Sequence, residues 1–192
     1  MGRPREFDRE EALQTAMRVF WAHGYEATSM TDLRKAIGIG RQSLYDTFGD
    51  KQALFAEALE HYVGMGEQGM KQVLAGKDGL TAVRAFVLLT TERLASGGPV
   101  PGCMIVKTCV ELAPHDPAVA ARLRTGLSQA REQLEAALQR AQNAGDLRDG
   151  LEPADAASFL ATVVHGLAVS ASAGVSPDEL RSVAAVALYS LT

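Results

Sequence analysis

The sequence predicts an all-α protein of about nine helices. Apolar residues recur every three to four positions along most of the 192-residue chain, and no segment shows the alternating pattern of a half-buried strand. Asp, Gly and Pro stand where these segments begin and end, as helix caps do. Because 47% of the residues are hydrophobic, the chain is able to bury a core as one or two domains.

The first predicted helix runs from Asp8 to His23 and ends at Gly24. Asp8 and Glu11 have the spacing of a capping box at its start. Its apolar stripe consists of Leu13, Ala16, Met17 and Phe20. With the two short helices that follow, it predicts a three-helix unit over residues 8–48.

The segment from Met30 to Lys51 predicts a helix-turn-helix. Its first helix has Met30, Leu33 and Ile37 on one face and ends at Gly38-Ile39-Gly40, since glycine readily adopts the left-handed conformation that closes a helix. The second helix, about 41–48, turns Leu44 and Phe48 inward. Its outward side chains are Gln42, Ser43, Tyr45 and Asp46. This layout is typical of a recognition helix that enters the DNA major groove.

The rest of the chain is predicted as helices separated by Gly and Pro. Asp50 is the expected N-cap of a fourth helix that ends near Leu74. The later predicted helices comprise residues 80–95, 103–112, 117–143, 154–173 and 178–191. The clearest loop, at 96–102, is rich in Gly and Pro.

A series of landmarks in the N-terminal part carries a family resemblance. They are Phe20, Gly24, Tyr25, Thr28, Leu33, Ala36, Gly38, Leu44, Tyr45, Phe48, Lys51 and Leu54. In this order they resemble the N-terminal domain of the tetracycline-repressor (TetR) family of bacterial transcription regulators. The resemblance implies a helix-turn-helix DNA-binding domain over residues 5–64, with the motif at about 29–48. It also implies a helical effector-binding and dimerisation domain over residues 65–192.

Polar side chains in and around the motif are the candidate contacts to double-stranded operator DNA. Arg41 is long enough to reach guanine O6 and N7, and Lys51 is expected to contact a phosphate. The resemblance adds Thr31, Ser43, Tyr45 and Thr47, with Tyr45 reaching phosphate through its hydroxyl. The complete predicted set is Thr28, Ser29, Thr31, Arg41, Gln42, Ser43, Tyr45, Asp46, Thr47 and Lys51.

The net charge of −4 does not argue against DNA binding. Residues 1–52 contain eight Lys and Arg and eight Asp and Glu, so the excess of acids lies downstream. Binding depends on which cations reach phosphate rather than on the total charge. A shared basic face is predicted for Arg3, Arg5, Arg34, Lys35, Arg41 and Lys51. Such a protein suits a dimer that reads an operator better than a general nucleic-acid coat.

The last two predicted helices are apolar around most of their circumference, which requires burial on more than one side. On pattern alone they fit either a monomer core or a dimer interface. The resemblance implies the dimer, in which these helices pair with the partner's to form a four-helix bundle. The candidate interface residues are Phe159, Leu160, Val163, Val164, Leu167, Val183, Ala184, Ala187, Leu188 and Leu191.

Helices four to seven are the expected place for an effector. The candidate ligand-binding residues are Met65, Phe86, Leu89, Thr90, Met104, Thr108 and Leu112. Their apolar side chains with a few hydroxyls are typical of a cavity for a small, largely apolar molecule. Each of them would serve equally well as an ordinary core residue.

Several other chemistries are not predicted. His61, His115 and His165 lack metal-ligand spacing, no cofactor motif occurs, and no nucleophile or acid-base motif indicates an enzyme. Cys103 and Cys109 are too far apart along one helix for a disulfide. The N-terminus lacks the apolar core of a signal peptide and no stretch predicts a membrane span, so we expect a cytoplasmic protein.

Together these observations predict a sequence-specific DNA-binding transcriptional regulator, a homodimeric repressor that a small molecule releases from its operator. Two alternatives remain open. One is a regulator of the same fold that senses oxidants through its cysteines, since Cys103 adjoins the predicted loop. The other is a helical module without DNA binding.

Overall fold

The computed structural model describes residues 7–75, 78–98 and 100–192. Within those ranges it confirms the all-α fold, with nine helices. They are α1 (Arg9–His23), α2 (Met30–Ile37), α3 (Arg41–Phe48), α4 (Lys51–Leu74), α5 (Gly79–Ala95), α6 (Met104–Glu111), α7 (Pro117–Ala144), α8 (Pro153–Ser172) and α9 (Pro177–Tyr189).

The predicted helix ends arise from local hydrogen bonds. Asp8 caps α1 by accepting from the backbone N–H groups of Glu10 and Glu11. Gly38 ends α2 in the left-handed conformation, with φ of 80°. Asp116 caps α7 ahead of Pro117, whose fixed φ suits the first helical position. The boundaries could be predicted because each depends on residues close in sequence.

The N-terminal core lies among α1, α2, α3 and the first half of α4. Its largest buried side chains include Phe20, Leu33, Leu44 and Phe55. Phe20 meets Phe55 edge to face at 5.0 Å between ring centroids. Met104 of α6 and Leu123 of α7 belong to the same cluster, so the DNA-binding candidate packs directly on the C-terminal half.

The C-terminal core lies among α5, α7, α8, α9 and the end of α4. It contains Val83 and Val87 of α5, Leu138 of α7, Leu160 of α8 and Leu180 of α9. Because α4 supplies Leu54 and Phe55 to one core and Met70 and Leu74 to the other, this helix joins the two halves as a continuous rod.

One described helix, α8, is long and apolar enough to cross a membrane by length and composition alone. Leu160 and Leu167 on α8 are nevertheless buried in the C-terminal core, and α8 packs on α5, α7 and α9. Packing within the protein therefore explains the apolar residues on one side of this helix.

Gly79→Ala is expected to destabilise the protein by about 1–3 kcal/mol because it overfills a contact between helices. A Cβ at Gly79 would lie 2.6 Å from the backbone nitrogen of Ala141 and closer still to the carbonyl oxygen of Ala137. The matched control is Gly69→Ala, where a Cβ meets nothing within 4 Å and should stabilise α4 by about 1 kcal/mol. Denaturant unfolding measures both, and equal stability for the two variants would contradict the close α5–α7 approach.

Candidate nucleic-acid interface

The outer face of α3 carries the predicted contacts in an exposed position. Leu44 and Phe48 are buried beneath it, while Arg41, Gln42, Ser43 and Asp46 are exposed and Thr47 is half-buried. The Tyr45 side chain is 40% exposed. The polar face is therefore free to meet another molecule along its length.

Two contacts organise this face, and each joins side chains that lie one helical turn apart. The Arg41 guanidinium carbon lies 5.7 Å from the centre of the Tyr45 ring, within the range of a cation–π contact. Gln42 donates from Nε2 to Asp46 Oδ1 at 2.7 Å. Both contacts hold long side chains in defined orientations, which reduces the entropy lost when they bind a partner.

At the start of α2, Ser29 and Asp32 form a capping box that the sequence analysis did not identify. The Ser29 hydroxyl donates to the Asp32 carboxylate at 2.6 Å and accepts from the Asp32 backbone N–H at 3.2 Å. The hydrogen bond from the Ser29 hydroxyl, and secondarily one of 3.1 Å from the Ser29 backbone N–H to the Asp32 carboxylate, holds the pKa of Asp32 below its usual value. Ser29 is thus already engaged, whereas Thr31 beside it is exposed. The Ser-x-x-Asp spacing was the available signal.

Thr28 is a correction to the predicted surface. It is only 2% exposed, and its hydroxyl donates to the Gly24 carbonyl oxygen at 2.6 Å. Local sequence placed Thr28 in the turn before α2, but the packing of that turn against α1 directs the side chain inward. Its hydroxyl therefore stabilises the turn and is not on the surface that would meet DNA.

Lys51, at the start of α4, lies against the turn that follows α1. Its Nζ donates to the Tyr25 carbonyl oxygen at 3.0 Å and lies 4.1 Å from the centre of the Tyr25 ring. Tyr25 in turn packs edge to face on Phe55. The ammonium has three donors, so a phosphate contact stays a prediction alongside this structural role.

Replacing Lys51 by Ala is expected to lower the slope of log K against log salt by about one unit if its ammonium reaches a phosphate. Operator affinity measured at several salt concentrations gives this slope. The matched control is Lys71→Ala, because Lys71 is exposed far along the same helix. An unchanged slope accompanied by lost stability would assign Lys51 to the Tyr25 contact alone.

The described residues include only part of the predicted basic face. Arg3 and Arg5 lie outside the described residues. Lys35 and Arg41 are exposed, and Arg34 is half-buried at the end of α2. The shared face stays a prediction for the part that includes the N-terminal arm.

The predicted effector residues do not line a common cavity. Met65 and Leu89 are 55% and 59% exposed. Met104 and Thr108 are almost fully buried, and Met104 packs with Leu112 in the N-terminal core. Phe86 packs on the C-terminal core and Thr90 is half-buried. Helical spacing put these side chains on plausible faces, but α6 turns its apolar face to α1 and α4 and thereby separates them.

A groove lies between α4 and α7. Its volume is about 630 Å³. It is lined by Gly64, Glu67, Gln68, Lys71, Gln129, Glu132, Gln133 and Ala136, none of which the sequence analysis selected. Gln133 Oε1 is buried and has no hydrogen-bond partner among the described residues. Glycine at position 64, which leaves α4 without a side chain there, was the available signal.

The predicted dimer residues divide into two groups. Six are buried within the protomer's own core: Leu160, Leu167, Ala184, Ala187, Leu188 and Leu191. Phe159 and Val183 are 45% and 46% exposed, and Val163 and Val164 are half-buried. The exposed apolar face also includes three residues that the sequence analysis missed, namely Val169, Val186 and Tyr189. We call Phe159, Val163, Val169, Val183, Val186 and Tyr189 the α8–α9 face.

The cysteines and histidines form no metal site within the described residues. Both cysteines are free and half-buried. Burial, and secondarily Cys103, raises the pKa of the Cys109 thiol, which disfavours its reactive thiolate. Cys103 accepts a hydrogen bond from the Tyr62 hydroxyl at 3.6 Å.

Comparison with known proteins identifies the family. Residues 12–58 match the model of bacterial regulatory proteins of the tetR family, and residues 79–187 match the tetracyclin repressor-like C-terminal domain. The Escherichia coli K12 repressor ComR is 30% identical over 189 residues, which cover 97% of this chain and 90% of ComR. The E. coli K12 repressor BdcR is also 30% identical, with the same coverage of each chain.

Solved structures show the same relationship. A triple cysteine mutant of the TetR family regulator CifR, in complex with 26-base-pair operator DNA, is 34% identical over all of both chains, with a TM-score of 0.87. The reduced form of E. coli NemR has a TM-score of 0.84 at 21% identity and covers 96% of this chain and 96% of its own, a likeness of fold. The chain therefore belongs to the TetR family of bacterial DNA-binding transcriptional regulators.

Proposed function

We propose that the protein is a homodimeric transcriptional repressor that reads an operator through α3 and is released by a small-molecule effector. The observation that carries this proposal is the exposed polar face of α3 above buried Leu44 and Phe48. It is supported by CifR, which is similar over its full length and whose mutant was solved on operator DNA. The proposed function is regulation of transcription, with no catalytic step.

The proposed roles of the α3 side chains follow from their positions along the helix. Arg41 stands in the first turn, where a recognition helix meets base edges, and its fork matches guanine O6 and N7. Tyr45 presents its hydroxyl one turn later and serves as a phosphate donor. Gly40 at the N-cap has no side chain to cap the helix, so the first N–H groups of α3 remain available to a phosphate oxygen.

The α8–α9 face gives the dimer its contact. Several large apolar side chains exposed together on two adjacent helices indicate a surface that another protein covers. A second copy of the chain provides the matching face by two-fold symmetry. The dimer then places two α3 helices about 34 Å apart, one turn of duplex, as successive major grooves require.

The effector acts by preferring one arrangement of this dimer. We propose residues 5–64 as the DNA-reading part and 65–192 as the effector and dimer part, with α4 shared between them. An effector that binds more tightly when the two α3 helices are spread releases the operator, whereas equal affinity for both arrangements would change nothing. A cytoplasmic location follows from action on DNA.

A mobility-shift and footprinting experiment tests the proposal. The full chain is titrated onto DNA upstream of its own coding sequence with excess unrelated duplex as competitor. The expected result is one specific complex protecting two half-sites centred about one helical turn apart. Equal affinity for specific and unrelated duplexes would overturn the operator reading, and no complex at low salt would favour a helical module without DNA binding.

The cysteines are expected to be dispensable for release. The double variant Cys103→Ser, Cys109→Ser should bind the operator as wild type does, and hydrogen peroxide should leave both complexes intact, because Cys109 is held as the thiol by burial. Gel shifts with and without peroxide measure this. Release of wild type but not of the double variant would establish the cysteine-sensing alternative.

A further inference from the structure

The short helix α6 is hydrogen-bonded to the end of α1 through Lys107. Lys107 Nζ donates to the carbonyl oxygens of Trp21 at 2.8 Å and Ala22 at 3.0 Å. These are among the last carbonyl groups of α1, which have no partner within the helix. A cation there also meets the negative end of the helix dipole. The contact is therefore charge-assisted and ties α6 to the main chain of the DNA-reading part.

Glu111, one turn further along α6, holds the segment that follows α1. Its carboxylate accepts from the backbone N–H groups of Tyr25 at 2.9 Å and Glu26 at 2.7 Å. Gly24 makes this approach possible: it has φ of 83°, and a Cβ there would lie 2.8 Å from Glu111 Oε2. Lys107 and Glu111 thus bind the carbonyl and N–H sides of one turn, and we call the pair the α6 clamp.

The other end of α6 rests on α8. Gly102, two residues before the start of α6, adjoins Ser172, and a Cβ at Gly102 would overlap the Ser172 hydroxyl oxygen. It would also lie 3.4 Å from the Ala168 carbonyl oxygen. Since α8 also carries Phe159 and Val169 of the α8–α9 face, α6 reaches from a proposed dimer helix to the DNA-reading part.

We propose that α6 is a strut and that Lys107 and Glu111 are positioning residues that fix the angle of the DNA-reading part relative to the dimer helices. The inference rests on the proposed function, because the angle matters only when two α3 helices must match one operator. A single rod such as α4 would leave rotation about its own axis open, and the packing of Met104 and Leu123 on the N-terminal core restrains it by apolar contact alone. A second connection, at the end of α1, removes that freedom.

The clamp contacts main-chain atoms of the turn and adds no side chain to the N-terminal core. Its loss is therefore expected to affect orientation more than folding. The clamp atoms fix where the turn after α1 lies, while the N-terminal core itself is formed by Phe20, Leu33, Leu44 and Phe55. Loss of the clamp should therefore leave α1–α3 folded but less constrained in orientation. The expected readouts are a broader angle distribution and a weaker operator complex.

The test compares Lys107→Met, Glu111→Gln and the double variant with a matched control, Arg131→Met with Glu135→Gln. The control removes a partly exposed ion pair of 3.2 Å on α7, away from the clamp. A spin label on Arg18→Cys, exposed on α1, is introduced with Cys103 and Cys109 replaced by Ser. Electron–electron distance measurements between the labels of a dimer report the relative orientation of the two DNA-reading parts.

The clamp variants are expected to broaden or shift the distance distribution and to weaken operator binding roughly 5- to 100-fold, the usual range of coupling between sites. Their dimer mass and the helix content of α1–α3 should stay as in wild type. An unchanged distribution with affinity within about twofold of wild type would overturn the proposal. Equal losses in the α7 control would do the same.

The failure of the proposed function is distinguishable from failure of the strut. A monomeric wild type in sedimentation would remove the dimer, and the strut would then be judged by hydrogen exchange in the full chain. In the clamp variants, faster exchange at Tyr25 and Glu26 that spreads to the amides of α6, while the amides of α1–α3 stay protected, supports it. Exchange that rises only at those two N–H groups would reduce the clamp to a local cap and overturn the proposal.

Discussion

Val183→Glu is expected to convert the dimer into a folded monomer that no longer binds its operator. Val183 is 46% exposed in the protomer and borders a small cleft of about 230 Å³ between α8 and α9. In the protomer a glutamate there is able to reach water. Within a dimer it would be buried without a partner, which costs several kcal/mol.

The loss of the dimer should abolish operator binding at working concentrations because one α3 helix alone makes only half the contacts. Sedimentation measures the mass, and a mobility shift measures the affinity. Val110→Glu is the matched control, since Val110 is 76% exposed on α6 and lies outside the α8–α9 face. A dimeric Val183→Glu protein with full operator affinity would contradict the interface.

The variant Leu188→Glu tests a position in the protomer core, in contrast to the proposed interface position Val183. Leu188 is only 7% exposed and belongs to the C-terminal core of the protomer. A charge there is expected to unfold the C-terminal half rather than to yield a folded monomer. Circular dichroism distinguishes the two variants, and the contrast shows that neighbouring apolar residues on α9 serve different purposes.

Arg41→Ala is expected to weaken operator binding by about 1–3 kcal/mol and to relax discrimination at one base position. The guanidinium projects from the first turn of α3 and is oriented by the Tyr45 ring. Its two parallel donors match the acceptors of guanine, so its loss should be largest on the native operator. Titrations with single-base operator variants measure both the affinity and the discrimination.

The control for Arg41 is Arg84→Ala, which removes the same charge from an exposed position on α5. It should leave operator affinity close to wild type. If Arg41→Ala weakened every operator variant equally, Arg41 would be a phosphate contact. An affinity equal to wild type would remove it from the interface.

The helices, their ends and the DNA-reading motif could be predicted from the order of residues alone. These depend on contacts within a few residues: Asp8 and Asp116 at N-caps, Gly38 in the left-handed conformation, and the three-to-four spacing that puts Leu44 and Phe48 under the polar face of α3. Such local interactions act in the same way wherever the helix later packs, so a linear pattern suffices to predict them.

The partner of each apolar face could not be predicted in this way, because it depends on how the helices pack together. Periodicity showed that α8 and α9 have too much apolar surface for one contact, but Leu188 proved to be core while Val186 and Tyr189 are exposed. The same holds for Thr28 and Met104. Thr28 is buried in the turn after α1, and Met104 of α6 packs in the N-terminal core rather than lining a cavity. The Lys107 and Glu111 contacts join residues 85 and 86 positions apart, and no local pattern records a partner at that distance. A helix fixes which side chains share a face, whereas the neighbour that meets this face is set by the packing of the whole chain.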